Sequence, residues 1–264
     1  MGFFGRKRAP SVPPPRKEPR FDGPLTLERL EQIFQDCVDF TKRPVSLGEG
    51  GACTLTLCYL SGMVKMERVS DYVLRPLAQD EALARCGTPR QAMEEMMGGA
   101  LYNLSAAERT TLDEAAFDLV AGWCLLFFPG ESAVLSLFVG TEEKRSISSP
   151  SNETVLKGSR DAFVESLRTN TSIVRRHLKA PELRIREQVV GRQSVTSVDI
   201  LYIEGLTNPH LVEQVAAQLA DIDIDAVLAT GNIEEYIVPA ARTAFPLVQY
   251  LSLIHISEPT RLAL

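Results

Sequence analysis

Gly48-Glu49-Gly50-Gly51 has the glycine content of a loop that closes backbone amides around a phosphate. Phosphate cradles need more than glycine. A Walker loop places Lys-Ser or Lys-Thr after the last glycine, and here Ala52-Cys53 follows. A dinucleotide loop opens a helix, whereas the stretch beyond residue 53 alternates like a strand. Asp221, Asp223 and Asp225 copy the opening of a calcium-binding loop, but Ala226 stands at the glycine turn and Asn232 where the bidentate glutamate belongs. Asp221 to Leu228 is therefore expected to begin as a strand with isoleucine inward and aspartate outward. Five cysteines, Cys37, Cys53, Cys58, Cys86 and Cys124, form no CxxC pair, and His177, His210 and His255 are not spaced to complete a zinc site with them. Several of the cysteines lie inside apolar runs, as in CTLTLCYL and WCLLFF, and all five are expected to be buried free thiols. No nucleophile elbow and no HExxH helix occurs. No catalytic residue, metal or cofactor is predicted, and the expectation is that the chain is not an enzyme.

The elements that would carry any site follow from composition and periodicity. Of 264 residues, 45% are hydrophobic and 23% charged, which is a globular composition with room for a sizeable core. A net charge of −6 argues against a dedicated nucleic-acid binder. The longest apolar run, Leu119 to Phe128, is ten residues, about half of what a membrane-crossing helix requires. Residues 1–24 mix Arg6, Lys7, Arg8, Arg16, Lys17 and Arg20 with Pro13-Pro14-Pro15 and read as a disordered basic tail. Thr26 is a plausible N-cap for a helix whose apolar face is Leu27, Leu30, Ile33, Phe34, Cys37 and Val38. Asp39 to Gly51 reads as a polar loop and Thr54 to Leu60 as a strand. Helices are expected at Arg68–Leu77, Arg90–Met97 and Asp113–Val120. Strands are expected at Cys124–Phe128, Ala133–Val139 and Glu142–Ser148.

The fold class expected is α/β, as two small mixed subdomains. The composition shift at Ser148-Ser149-Pro150-Ser151-Asn152 divides a first subdomain, 25–150, from a second, 151–250. The second opens with a helix from Arg160 to Leu178, apolar at Phe163, Leu167, Val174 and Leu178. Strands at Leu183–Val190 and Val195–Ile203 follow, then a helix at Leu211–Leu219 introduced by Asn208-Pro209. TLTLCYLSGM, residues 54–63, aligns with SVDILYIEGL, residues 197–206, at an offset of 143. Tyr59 meets Tyr202 and Gly62 meets Gly205, so an internal duplication is one reading of the alignment and chance likeness of two strand-turn-helix units the other. Charge is polarised in this half: nine Lys or Arg against four acids from Lys157 to Arg192, then eight acids and no Lys or Arg from Asp199 to Glu235. Arg168, Arg175 and Arg176 are expected to form a basic helix face that is either solvated or a docking surface for another subunit or for lipid.

The stretch ETVLKGSRDAFVESLRTNTSIVRRHLKAPELRI, residues 153–185, resembles the signature of GerA-family spore-germination proteins: Glu153, Gly158, Arg160, Phe163, Asn170, Arg175 and Arg176 stand in the family's order. The resemblance continues through VDILYIEGL, with Tyr202 and Gly205, to FPLVQY at Tyr250, while Ser159 and His177 depart from the common residues. It implies the soluble N-terminal region of an A-type subunit of a nutrient germinant receptor, preceding a membrane domain. It further implies a role in receptor assembly and in gating an ion channel at the inner membrane of the endospore, on its cytoplasmic side. The partners implied are other receptor subunits and further copies of itself, with the membrane reached through the missing C-terminal domain. The motif residues Gly158, Arg160, Phe163, Arg168, Asn170, Arg175, Arg176, Tyr202 and Gly205 are the candidate subunit interface. The alternative function is a small-ligand-binding module with its pocket between the two subdomains. LSLIHISEPTRLAL, residues 251–264, resembles a translated sequencing adaptor and is set aside as non-native.

Overall fold

A computed structural model describes residues 20–47, 53–100, 105–140 and 163–227, together with 233, 236 and 237. Most of the basic tail, the Gly48–Gly51 loop, the expected strand Glu142–Ser148, the motif residues Glu153, Gly158 and Arg160, and the 251–264 tail lie outside the described residues.

Helix α1 (Leu27–Ile33) begins where Thr26 Oγ1 accepts the Arg29 amide, and it buries Leu30 and Ile33. The chain then runs into β1 (Phe40–Leu47), across the segment expected to be a loop. Lys42, Arg43 and Pro44 hide the strand pattern. They are tolerated because β1 is an edge strand, where charge and a missing N–H cost the ladder little. β1 pairs antiparallel with β2 (Cys53–Leu60) along its whole length, from Phe40↔Leu60 to Leu47↔Cys53. One long helical stretch follows: α2 (Met66–Val69), a wide-turn π segment at Ser70–Leu74, and α3 (Arg75–Gln79). Pro76 sits at the join into α3, where the lost amide is absorbed by the local widening. Asp80 then caps α4 (Glu81–Ala84) and Thr88 caps α5 (Pro89–Glu95).

Three strands and a helix complete a five-stranded antiparallel sheet of order β1-β2-β4-β5-β3. They are β3 (Ala106–Arg109), α6 (Leu112–Val120), β4 (Trp123–Phe127) and β5 (Val134–Phe138). Alternation on β2 sends Leu55, Leu57 and Tyr59 to a core under α2–α5, and Cys58 and Leu60 to a core under α1 and α6. The sheet is thus covered on both faces. Asp118 locks α6 across the sheet, accepting Arg109 Nε at 2.7 Å and Ser136 Oγ at 2.6 Å. Asp118→Ala strands a nearly buried guanidinium and a buried hydroxyl. We expect a loss of about 2–3 kcal/mol, discounted for the residual exposure of the pair and read from the urea unfolding midpoint.

The second half is α7 (Leu167–His177), the hairpin β6 (Leu183–Val190) and β7 (Thr196–Ile203), and α8 (Pro209–Ala220). α7 starts at Leu167, not Arg160, because Ser166 accepts the Thr169 amide and ends the preceding extended segment. The Asp221–Leu228 strand does not form within the described part, 221–227. Instead the carbonyls of Ile224 and Asp225 accept the amides of Arg192, Gln193 and Ser194 in the β6–β7 turn. Those groups are spent on closing the turn, while Ile222 and Ile224 pack with Val190 and Leu219 beneath α8.

The repeat at 143 extends well beyond the two stretches that align in sequence. Adding 143 to the bounds of the first hairpin, 40–47 and 53–60, gives those of the second, 183–190 and 196–203. The same offset carries the start of α2, residue 66, to the start of α8, residue 209. It carries α5 to residues 232–238, where Ile233, Tyr236 and Ile237 are helical.

Candidate functional site

The strongest constellation lies where α7 and the β6–β7 hairpin meet the five-stranded sheet. Asp39, in the turn before β1, and Arg175, in the last turn of α7, are 136 residues apart and form a two-pronged ion pair. Arg175 Nε donates to Asp39 Oδ2 at 2.6 Å and Nη2 to Oδ1 at 2.9 Å, with the arginine side chain 0% and the aspartate 6% exposed. Arg175 Nη1 also reaches the Leu183 carbonyl at 3.3 Å, and Cys37 Sγ donates to the same oxygen at 3.5 Å. Burial works against the Arg175 charge, and the Asp39 hydrogen bonds and charge outweigh it, so the net shift is toward keeping the proton. Next to the pair, Cys37 bridges Ile185 in parallel, and the Val38 amide donates to the Ile185 carbonyl at 2.9 Å.

This close approach explains the face that α7 buries. It is polar: Thr171, Ser172 and Arg175 are inside, while Leu178 is 42% exposed and Leu167 and Val174 are only half-buried. The expected apolar face is therefore corrected. Small side chains are needed because a Cβ on Gly62, in the turn after β2, would lie 2.9 Å from Ser172 Cβ. Arg175 is likewise removed from the expected basic surface, since its charge is consumed inside the chain. Arg176 is half-buried and donates to Ser172 Oγ at 3.2 Å. Asn170 clamps the entry to the helix, with Oδ1 accepting the Val164 amide and Nδ2 donating to the Val164 carbonyl, both at 2.7 Å. Phe163 and Tyr202 are half-buried, and Gly205 is exposed with a positive φ of 76°.

The expected polarity of charge also changes meaning. Arg168 pairs with Glu187, Arg186 with Glu213 at 2.9 Å, and Arg192 with Asp223 at 2.7 Å, so basic and acidic stretches neutralise one another within this half. One acid is paired by charge alone. Asp199 on β7 has a side chain with no exposure, and neither carboxylate oxygen accepts a hydrogen bond. Arg168 Nη1 stands 3.5 Å away, at ion-pair range without a bond. Burial, only partly offset by the Arg168 charge, pushes the Asp199 carboxyl above the usual range. Neighbouring Glu187 is held below its usual range by a hydrogen bond from Ser197.

A raised carboxyl in the folded state means that folding takes up a proton between the two pKa values. The contribution of Asp199 to stability is then fully present below the unfolded carboxyl pKa, near 3.9, and is lost as pH rises through the elevated folded value. Asp199→Asn should flatten that fall. Urea midpoints measured between pH 4 and pH 8 check this, and an unchanged pH slope refutes it.

Nothing in the cysteines supports catalysis. Cys37, Cys58 and Cys124 are buried free thiols, as expected, and burial pushes Cys58 and Cys124 up to about 12. Cys53 and Cys86 are only half-buried, with thiols also raised by burial. Among the described residues no group of His, Cys, Asp and Glu could hold a metal ion. No helix among them is long and apolar enough to cross a membrane.

Residues 28–252 match the family described as Bacillus/Clostridium GerA spore germination protein. The chain belongs to the GerA family. It is 34% identical over 224 residues to YfkQ of Bacillus subtilis, described as an uncharacterised membrane protein, covering 85% of this chain and 42% of that protein. It is 31% identical over 214 residues to spore germination protein KA of the same organism, covering 80% of this chain and 38% of KA. Thus a GerA chain of this length spans about two-fifths of those relatives. Among solved structures it resembles the N-terminal domain of the A subunit of the Bacillus megaterium germinant receptor GerK3, with TM-score 0.63 and 25% identity over 83% of this chain and 79% of that one. The mixed α/β architecture is thereby a germinant-receptor N-terminal fold.

The Asp39–Arg175 pair is the feature that sequence reading missed in this GerA fold. Arg175 belongs to the family motif, and Asp39 lies outside it. The available signal was an acid immediately before β1, Asp39 after the apolar Cys37-Val38, together with an arginine on a helix that has small residues three and four positions earlier.

Proposed function

We propose that this chain is the N-terminal region of an A-type germinant-receptor subunit, a non-enzymatic headpiece that contributes to receptor assembly and channel gating. In the intact protein it lies on the cytoplasmic side of the spore inner membrane, anchored by a domain that follows it. Its partners are other receptor subunits and further copies of itself. It comprises two α/β units, about 25–150 and 151–250. The observation that carries this reading is the likeness to a germinant-receptor A-subunit domain, in sequence and in fold, along most of the chain. The buried Asp39–Arg175 pair gives the headpiece a mechanical role, because it fixes the angle at which the second unit leaves the first.

Arg176 is the partner contact proposed, since Arg175 is spent internally and Arg168 pairs with Glu187. In spores carrying the full-length gene, Arg176→Glu should weaken subunit association about tenfold or more, the scale of one like-charge contact. The measurement is co-purification of receptor subunits alongside the nutrient germination response. Normal assembly and germination would remove Arg176 from the interface.

A ligand-binding module is the second reading, favoured by the Asp199 carboxylate, which accepts no hydrogen bond and is paired with Arg168 only at 3.5 Å. Titration calorimetry against amino acids, sugars and nucleotides decides it. Micromolar binding that Asp199→Asn abolishes would put the ligand reading first.

A further inference from the structure

We propose that the open edge of β7 at Asp199–Leu201 is a strand-docking edge, and that its occupant is the same polypeptide, continuing beyond residue 250 in the full-length protein as an equivalent of β4. The receptor role is not needed for this inference, which rests on the internal repeat.

In the first unit, the edge of β2 opposite β1 is closed by β4 through Thr56↔Phe127, Leu57↔Leu126 and Cys58↔Leu125. At the 143 offset, Thr56, Leu57 and Cys58 correspond to Asp199, Ile200 and Leu201. Among the described residues the second sheet has only two strands, so this edge of β7 carries no ladder. The outer side of β6 is different, because the Cys37–Val38 backbone already meets it at Ile185. Burial shows the missing cover. Leu57 and Cys58 are 0% exposed, whereas Leu201 is 36% exposed and Ile200 only half-buried. Asp199 is enclosed without a hydrogen-bond partner, a state that an incoming donor would relieve.

The occupant is indicated by order along the chain. The repeat holds from β1 through the helical residues 233, 236 and 237. The next elements of the first unit are β3, α6, β4 and β5, and the offset places the β4 equivalent past residue 264. Relatives are longer than the part this chain matches, since it covers 42% of YfkQ and 79% of the GerK3 domain. A second copy fits less well. Antiparallel pairing of two β7 strands about Ile200 would bring two Asp199 carboxylates, neither with a hydrogen-bond partner, into one short ladder. An intramolecular strand also gains from its high effective concentration.

The test compares the full-length protein, purified alone in nanodiscs, with the 264-residue chain. Amide exchange at the outward N–H groups of β7 should be about tenfold slower or more in the full-length protein, as for an edge donor that joins a ladder. Equal exchange in the two overturns the proposal. A Leu201→Cys variant, paired with a cysteine 143 residues beyond Leu125, should form a disulfide within one chain when light and heavy isotope-labelled copies are mixed. A light–heavy crosslink instead assigns the edge to a second copy and overturns it, as does β7 protection in the 264-residue chain that rises with concentration. Leu201→Glu supplies a folding control. It should leave the urea midpoint of the 264-residue chain unchanged and lower that of the full-length headpiece, and unchanged midpoints in both count against the docking edge.

Discussion

Arg175→Met lowers the stability of the folded chain by about 3–5 kcal/mol, the cost of leaving one partner of a fully buried ion pair behind. Asp39 is 6% exposed and would keep its charge with no cation against it, or take up a proton to avoid that state. The loss is local before it is global. α7 is held beside the five-stranded sheet by this pair, packed so closely that Gly62 has no room for a Cβ beside Ser172, and it presents no large apolar face that could hold it otherwise. Amide exchange in α7 and β6 should therefore rise before exchange in β2 and β4. The double variant Asp39→Leu with Arg175→Met removes both charges, and it should recover most of the lost stability, since an apolar pair of similar volume packs without a desolvation cost. Urea denaturation of the wild type, both single variants and the double variant gives the coupling directly. A single variant within about 0.5 kcal/mol of wild type would place the pair among those of negligible net worth. In spores, the same variant should reduce the amount of receptor. That outcome is distinct from Arg176→Glu, which should reduce association at normal receptor levels.

What could be read from the sequence was what depends on neighbours along the chain. Thr26 and Asn208 cap helices because an oxygen two or three residues from a free amide is a local fact, and both caps form. The β6–β7 hairpin emerges from alternation around Gly191, whose φ of 89° suits the turn. β1 was hidden because an edge strand has no need of an apolar face on every second residue, and Lys42, Arg43 and Pro44 imitate a loop. The buried face of α7 was misread for the opposite reason. Leu167, Val174 and Leu178 recur at helical spacing, yet the helix approaches another backbone too closely for large side chains, so Thr171, Ser172 and Arg175 go inside. The Asp39–Arg175 pair had no local signature at all, because its meaning arises only when residues 136 apart are folded together. The duplicated glycines show the limit of a motif. Gly205 takes a positive φ with open space about it, while Gly62, its counterpart, has no positive φ and is constrained by a neighbour. One letter in one aligned position answers to two different physical demands.

That difference makes Gly62→Val the sharper test of how the two units are joined. The new Cβ would sit 2.9 Å from Ser172 Cβ and 3.5 Å from Ser172 Cα, so it meets the helix itself and not the flexible end of a side chain. Either α7 moves outward, stretching Arg175 from Asp39, or the turn after β2 shifts and disturbs Met63 and Leu60 in the core. Overpacking of this kind costs about 1–3 kcal/mol, and the loss of ion-pair geometry brings the expected total to about 3 kcal/mol or more. Gly205→Ala is the matched control: it pays only for the positive φ, about 1 kcal/mol, with nothing within 4 Å to strike. If the contact with α7 is what fixes Gly62, then Ser172→Gly should restore part of the stability lost in Gly62→Ala and none of that lost in Gly205→Ala. Equal costs for the two glycine variants, or no rescue by Ser172→Gly, would mean that α7 is free to move away from the turn, and that the Asp39–Arg175 pair alone sets the placement of α7 against the five-stranded sheet.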